Sequence, residues 1–181
     1  MHAGPHAMCP IPESWRPDLH ATLLFVVRGG EILLIHKKRG LGAGKLNGAE
    51  GKIEPGESTL EAAVRELQEE LEARPVASRK VGEVAFEVLS GMSILIHVYR
   101  ADGLEGEPVE TSEASAVWPP VDDIPYDRMW EDDRRWPPHV IEDCPFEVYA
   151  RFDGDNIVHC RVVLFSDTAR LPWTIAPKHP R

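Results

Sequence analysis

Gly51-Lys-Ile-Glu-Pro-Gly-Glu57-Ser-Thr-Leu-Glu-Ala-Ala-Val-Arg65-Glu66-Leu-Gln-Glu69-Glu70 passes from a turn into a helix and crowds that helix with carboxylates. Ser58-Thr-Leu-Glu61 opens it, because a Ser followed three residues later by Glu can bond reciprocally with the first free backbone N–H groups. From Ser58 to about Glu72 apolar residues recur at helical spacing, and Leu60, Val64, Leu67 and Leu71 predict one buried stripe. Glu66, Glu69 and Glu70 stand at i, i+3 and i+4, so they share one broad face opposite the leucines. Like charges so placed destabilise a helix by roughly 0.2–0.5 kcal/mol per pair unless a cation intervenes.

Magnesium is the simplest such cation, since it takes one or two protein carboxylates together with water and substrate phosphates. The three glutamates alone read more readily as a solvated acidic face, and it is their context that reverses this. Their wider context is Gly51, Glu57, Arg65, Glu66, Leu67, Glu69 and Glu70, with five residues between the first two and seven between Glu57 and Arg65. This spacing resembles the signature of the Nudix hydrolase family, which asks for a Gly, four Glu, an Arg and an aliphatic residue across a loop–helix–loop. Two positions depart from it: Glu72 stands where the family has a second Gly, and Ala73 where it has a larger aliphatic residue. A Gly there would cap the helix, so Glu72 is expected to change how the helix stops and not what it binds.

The resemblance implies an α/β fold, an α/β/α sandwich with a mixed β-sheet, and attack by water on a phosphorus of a nucleoside diphosphate linked to a further group X. It implies that Glu66, Glu69 and Glu70 ligate Mg²⁺, with Mn²⁺ as an alternative, and that Gly51 and Glu113 add to the metal set. Glu57 would be an outer ligand or would orient Arg65. Glu70 is favoured as base or ligand, with Glu69 or a loop carboxylate as the other choices of base. Glu113, in Thr111-Ser-Glu-Ala-Ser115, reads as a surface loop acid on its own.

The rest of the chain is consistent with one domain. Its 181 residues, 43% hydrophobic and 28% charged, are enough for a core without staples. A net charge of −10 disfavours a DNA or RNA polymer as partner but not a small phosphorylated ligand reached through a divalent cation. Cys9, Cys144 and Cys160 form neither a C-x-x-C nor an even set, which fits a reducing compartment. No apolar run is long enough to span a bilayer and the N-terminus lacks an apolar leader, so a cytoplasmic, monomeric protein without membrane contact is expected.

Prolines in residues 1–20 predict a loose arm, residues 21–165 the domain, and prolines in 166–181 a frayed tail. Thr22–Val27 and Glu31–His36 flank Arg28-Gly29-Gly30 as a hairpin, and Phe146–Phe152 and Ile157–Phe165 flank Asp153-Gly-Asp-Asn156 as another. Residues 80–88 and the alternating Met92–Tyr99 read as strands, and residues 127–138 as a short helix or turn closed by Pro137-Pro138.

Lys37-Lys-Arg-Gly-Leu-Gly-Ala-Gly-Lys-Leu-Asn-Gly48, Val81-Gly-Glu-Val-Ala-Phe-Glu87 and Ile124-Pro-Tyr-Asp-Arg-Met-Trp-Glu-Asp-Asp-Arg-Arg-Trp136 are similar to the animal MutT subgroup of that family, which acts on oxidised purine nucleoside triphosphates. That similarity implies a base pocket of Asn47, Asp132, Asp133 and Trp130, lined further by Thr22, Lys37 and Phe86. The chemistry suits a purine: an amide offers donor and acceptor, indole a stacking face, and two converging acids in a dry pocket would share a proton. Trp136 reads as a core residue that could also back the acids. Without the similarity Asp132-Asp133 is a charge run, Trp130 and Phe86 are core, Asn47 is a turn residue, Thr22 a strand residue and Lys37 a surface cation. Leu41 and Leu46 replace aromatics of the subgroup, Ala49 a Phe and Glu50 a Gly. Smaller walls would admit a larger or alkylated purine, and Glu50 would add a metal ligand or repel phosphate.

The implied reaction is hydrolysis of 8-oxo-dGTP and 2-hydroxy-dATP to the monophosphate and pyrophosphate. The alternatives are another nucleoside diphosphate derivative (a methylated purine triphosphate, a dinucleoside polyphosphate or capped RNA) and a non-catalytic nucleotide sensor. Retention of every acid of the signature and of Arg65 speaks against a sensor. The Gly-rich loop lacks a G-K-[ST] ending and the eight histidines form no zinc pattern, which removes a P-loop ATPase and a zinc enzyme.

Overall fold

Strands outnumber helices in the fold, and the computed structural model describes residues 11–40 and 42–166. In chain order the elements are β1 (Leu19–Arg28), β2 (Glu31–Ile32), β3 (Leu34–Lys37), β4 (Leu46–Asn47), β5 (Ala49–Lys52), α1 (Thr59–Leu71), β6 (Arg74–Val76), β7 (Arg79–Val88), β8 (Met92–Ala101), β9 (Gly103–Glu105), β10 (Ala114–Val117), α2 (Pro137–Ile141), β11 (Phe146–Asp153) and β12 (Asn156–Leu164). The main sheet runs β12-β11-β7-β8-β1-β2, and β5 pairs with the first half of β1. Parallel pairs β1–β8 and β11–β7 alternate with antiparallel ones, so the sheet is mixed. Small sheets β10-β3-β4 and β6-β9 flank it.

Both expected hairpins form. Gly29 and Gly30 take φ of +57° and +80°, which lets Arg28 pair with Glu31, and Asp153 pairs with Asn156. The period-two alternation of β1 then divides the interior. Leu23 and Phe25 join Val84, Phe146, Trp136 and Val140 of α2 on one face, while Leu24 and Val26 join Ala63, Leu67 and Leu71 of α1 on the other. Helices therefore cover both faces, giving the α/β/α sandwich.

Helix α1 carries the expected capping box at Ser58 and Glu61. Its buried face differs from the predicted stripe: Leu60 is 40% exposed, whereas Ala62, Ala63, Leu67, Glu70 and Leu71 are buried. The two alanines let the helix approach the sheet closely, and that rotates Glu70 inward. The helix ends as anticipated in a changed way, because Glu72 itself takes the left-handed conformation (φ 55°) and donates its N–H to the Gln68 carbonyl at 3.0 Å. A β-carbon in that conformation costs about 1 kcal/mol that a glycine would not. Pro137-Pro138 does not close the segment before it but opens α2, where the missing N–H groups are not needed.

Residues 11–20 are not the loose arm that their prolines predicted. Ile11 and Trp15 are buried against Ala85, Leu95 and Tyr149, and β1 begins at Leu19, before residue 21. The apolar bodies of these two side chains outweigh the proline content. The remainder of the predicted arm, residues 1–10, and the tail from 167 onward lie outside the described residues.

On that same face a polar row crosses the sheet, with His97, Glu83 and Glu147 directly opposite one another on β8, β7 and β11. Lys80 bonds Glu83 at 2.5 Å and His97 at 2.8 Å, and His20 lies 3.2 Å from the other ring nitrogen of His97. Buried charges persist only when so partnered.

Gly82 sits opposite Phe146, and a β-carbon there would lie 2.4–2.7 Å from the fully buried ring. Gly82→Ala is expected to lower unfolding free energy by about 2–3 kcal/mol through overpacking, read as a fall in the urea midpoint with an unchanged slope.

Candidate active site

Strand β5 serves two sides. Ala49 is buried with Leu67 and Leu71 of α1, Glu50 points into a cavity on the opposite face beside Leu23, and Gly51 turns back to the helix. A β-carbon on Gly51 would fall 1.9–2.3 Å from the Glu66 carboxyl group, so Glu66 occupies the room that the missing side chain leaves.

Arg65 organises the acids. Its Nε and Nη2 donate to the two oxygens of Glu57 at 2.6 and 3.0 Å, and Nη2 also donates to the Lys52 carbonyl at 3.0 Å. Its Nη1 reaches Glu66 at 2.7 Å and Glu69 at 3.2 Å. The guanidinium holds the Glu57 carboxyl below its usual range. Glu70 is different. It is 5% exposed, and its Oε2 is buried without a hydrogen-bond partner. Burial pushes its pKa up to about 8, helped by the charges of Glu50 and Glu66 and opposed by Lys37. Burial also raises Glu66, against the pull of Arg65.

The expected metal set is thus only partly assembled. Among the described residues no three metal-ligating side chains are already gathered around one point, because Arg65 engages Glu66 and Glu69 in place of a cation. Glu113 is not brought to the helix; it is 46% exposed and paired with Arg39. Its loop does touch α1, through Thr111 Oγ1 donating to the Glu70 carbonyl at 2.8 Å. A hard divalent cation still fits the remaining donors. They are all carboxylates, and the orphaned Oε2 of Glu70 is a buried acceptor in need of a partner.

The base-pocket residues do meet. Thr22, Lys37, Asn47, Phe86, Trp130, Asp132 and Asp133 all border one cavity of about 440 Å³, and Glu50 and Gly51 border it too. Asp132 and Asp133, 3% and 2% exposed, lie on a short 3₁₀ turn at Glu131–Arg134. Asp132 Oδ2 accepts the Trp136 indole N–H and Asp133 Oδ2 the Trp130 backbone N–H, both at 2.9 Å. Burial raises both acids; for Asp133 the neighbouring Asp132 adds to it, and for Asp132 the Trp136 bond opposes it. Burial and the mutual repulsion of the two acids favour one proton held by the pair. Phe86 stacks on Phe152 and meets Trp130 edge-on, with centroids 4.7 and 5.7 Å apart. Thr22 Oγ1 is buried without a hydrogen-bond partner.

Two of the three residues expected to widen the pocket do not border it. Leu46 and Ala49 are fully buried in the two cores and do not line the cavity; Leu41 lies outside the described residues. Of the three described substitutions, Glu50 is the one that faces it.

A family model, the NUDIX domain, matches residues 18–140. The chain belongs to the Nudix family. Oxidized purine nucleoside triphosphate hydrolases of Danio rerio and Mus musculus are 41% and 36% identical to this Nudix chain over 138 and 139 residues, covering 76% of it in both cases and 88% and 89% of themselves. A mutator MutT protein from Bacillus halodurans shares its fold with a TM-score of 0.71 at 23% identity, covering 80% of this chain and 97% of the other. A MutT Nudix hydrolase from Burkholderia pseudomallei does so with a TM-score of 0.60 at 28% identity, covering 71% and 98%. Nudix hydrolases generally use divalent metal ions, which agrees with the acids of α1. No helix among the described residues is long and apolar enough to cross a membrane.

Proposed function

We propose that this Nudix hydrolase cleaves oxidised purine nucleoside triphosphates, with 8-oxo-dGTP and 2-hydroxy-dATP as leading substrates, into the monophosphate and pyrophosphate. The observation that carries this is the buried Asp132-Asp133 pair in the cavity that reaches Gly51, beneath the Glu66 carboxylate. One residue set suits a purine edge and the other a polyphosphate. The names of the two animal relatives support the same substrate class.

Glu66, Glu69 and Glu70 would hold Mg²⁺, with Mn²⁺ as an alternative. When bound, the metal supplies charge neutralisation, orientation and a more acidic water. Arg65, steered by Glu57, keeps Glu66 and Glu69 aligned until then. Glu70, ionised once the cation is bound, would offer its unengaged oxygen to the proton of the attacking water. At the base end Asp133 donates and Asp132 accepts, Asn47 and Thr22 offer further polar contacts, and Trp130 and Phe86 form the apolar walls. Lys37 stands at the junction of base and phosphates. Glu113 is left out because Arg39 neutralises it.

A panel of oxidised, methylated and unmodified nucleoside triphosphates, followed by released pyrophosphate, tests this. The oxidised pair should exceed dGTP and dCTP by at least about tenfold in kcat/KM, as a site built for particular N–H and C=O groups requires. Hydrolysis of 8-oxo-dGTP no faster than dGTP removes the oxidised-purine assignment.

A further inference from the structure

Glu50 occupies a position between the two halves of the site that neither half explains. Leu23, its partner on β1, belongs to the cavity-side core, so the strand's alternation sends the Glu50 side chain away from α1 and into the cavity. The carboxylate thus faces the cavity, near enough to both ends for its charge to act on Asp133 and on Glu70. There it accepts a hydrogen bond from Lys37 Nζ at 2.7 Å on Oε1 and from Asn47 Nδ2 at 3.0 Å on Oε2. Asn47 Oδ1 is committed as well, accepting the Gly48 N–H at 2.9 Å. Asn47 therefore meets a base with one remaining N–H and one remaining lone pair, its orientation fixed by Glu50 and Gly48. Its other N–H is shared with a carboxylate that has no donor of its own.

Glu50 sets carboxylate acceptors into this wall of the cavity beside the donors of Lys37 and Asn47, and an entering purine meets them with whatever its edge carries. Oxidation at C8 places a hydrogen on N7, turning a lone pair into an N–H donor. Unmodified guanine offers acceptors, N7 and O6, along the same edge. A carboxylate favours the donor and repels the lone pair, and the repulsive half is what gives selectivity. Lys37 balances the charge and so keeps the carboxylate available as an acceptor.

We propose that Glu50 is a specificity-determining residue: held on the cavity face of β5 between Lys37 and Asn47, it selects purines that present an N–H toward it over purines that present a lone pair. This rests on the purine-pocket assignment above and adds the group that makes the choice.

The test compares kcat/KM for 8-oxo-dGTP and dGTP, and metal-free calorimetric binding of 8-oxo-dGMP, dGMP and 7-methyl-8-oxo-dGMP, in wild type, Glu50→Gln and Glu50→Gly, with thermal melting of each. Wild type should bind 8-oxo-dGMP about tenfold more tightly than its 7-methyl derivative, a ratio equal to about 1.4 kcal/mol. Glu50→Gln should shrink that ratio to near one and lower the 8-oxo-dGTP to dGTP preference about tenfold, through KM. Equal weakening of all three monophosphates in the variants would mark Glu50 as a support for Asn47 and overturn the proposal. So would a wild type indifferent to N7 methylation, whether or not the variants fold. A wild type that prefers 8-oxo-dGTP while Glu50→Gln keeps that preference defeats Glu50 alone; one that hydrolyses dGTP equally well defeats the oxidised-purine assignment too.

Discussion

Glu70→Gln lowers turnover of every nucleoside triphosphate by about 10³-fold, the scale expected for losing a proton acceptor together with a metal ligand. The amide keeps the shape of the side chain in its buried site but supplies no anionic oxygen where Oε2 stands unpartnered. Because the loss concerns the phosphate end, it should be similar for oxidised and unmodified bases, as steady-state rates across the substrate panel will show. Stability moves differently. The Glu70 carboxyl titrates near 8 in the folded chain and near 4.5 in the unfolded one, so between those values the native state holds a proton that the unfolded state has released. Unfolding free energy therefore falls as pH rises through that window and levels above about 8. Melting of the metal-free protein from pH 5 to 8 should show this decline, and Glu70→Gln should flatten it. Added Mg²⁺ at pH 8 should raise the wild-type midpoint more than that of the variant.

Asp132→Asn shifts base preference and leaves the phosphate chemistry in place. An amide at 132 can still accept the Trp136 N–H, but it turns a donor toward the cavity where an acceptor stood. Purines that donate there should lose about 10²-fold in kcat/KM, short of the limit set by a fully unpaired buried group, while those that accept should gain. The buried pair holds one shared proton, since burial raises both acids and Asp132 adds to it for Asp133. Raising the pH removes that proton from the pair. Substrates that take a hydrogen bond from Asp133 should then bind more weakly at higher pH, an effect visible in metal-free monophosphate binding. Uniform loss across all bases in Asp132→Asn would contradict a role in base choice.

The acids of α1 were legible because helix geometry alone relates Glu66, Glu69 and Glu70, and their frame from Gly51 to Arg65 is local in the chain. The capping box and both hairpins are local for the same reason. The burial of Glu70 was not, because it depends on how closely Ala62 and Ala63 let α1 approach a sheet assembled from distant strands. The pairing of Glu113 with Arg39 and the packing of Trp15 on Tyr149 join residues that no periodicity connects. The row His97–Glu83–Glu147 was hidden inside strands whose alternation reads as ordinary polar-out, although those positions are covered. The departures at Leu46, Ala49 and Glu50 were visible, but only strand orientation separates the one that faces the cavity from the two that do not.

The alternation of β5 also restricts how this enzyme can diversify. With Ala49 and Gly51 serving the helix and Glu50 the cavity, adding or deleting one residue between Asn47 and Gly51 would invert every side chain of the strand at once. Glu66 would lose its recess and the purine its selector in a single event. Exchange of individual residues leaves the frame intact, so the segment's length is frozen while the identity of residue 50 is open to drift.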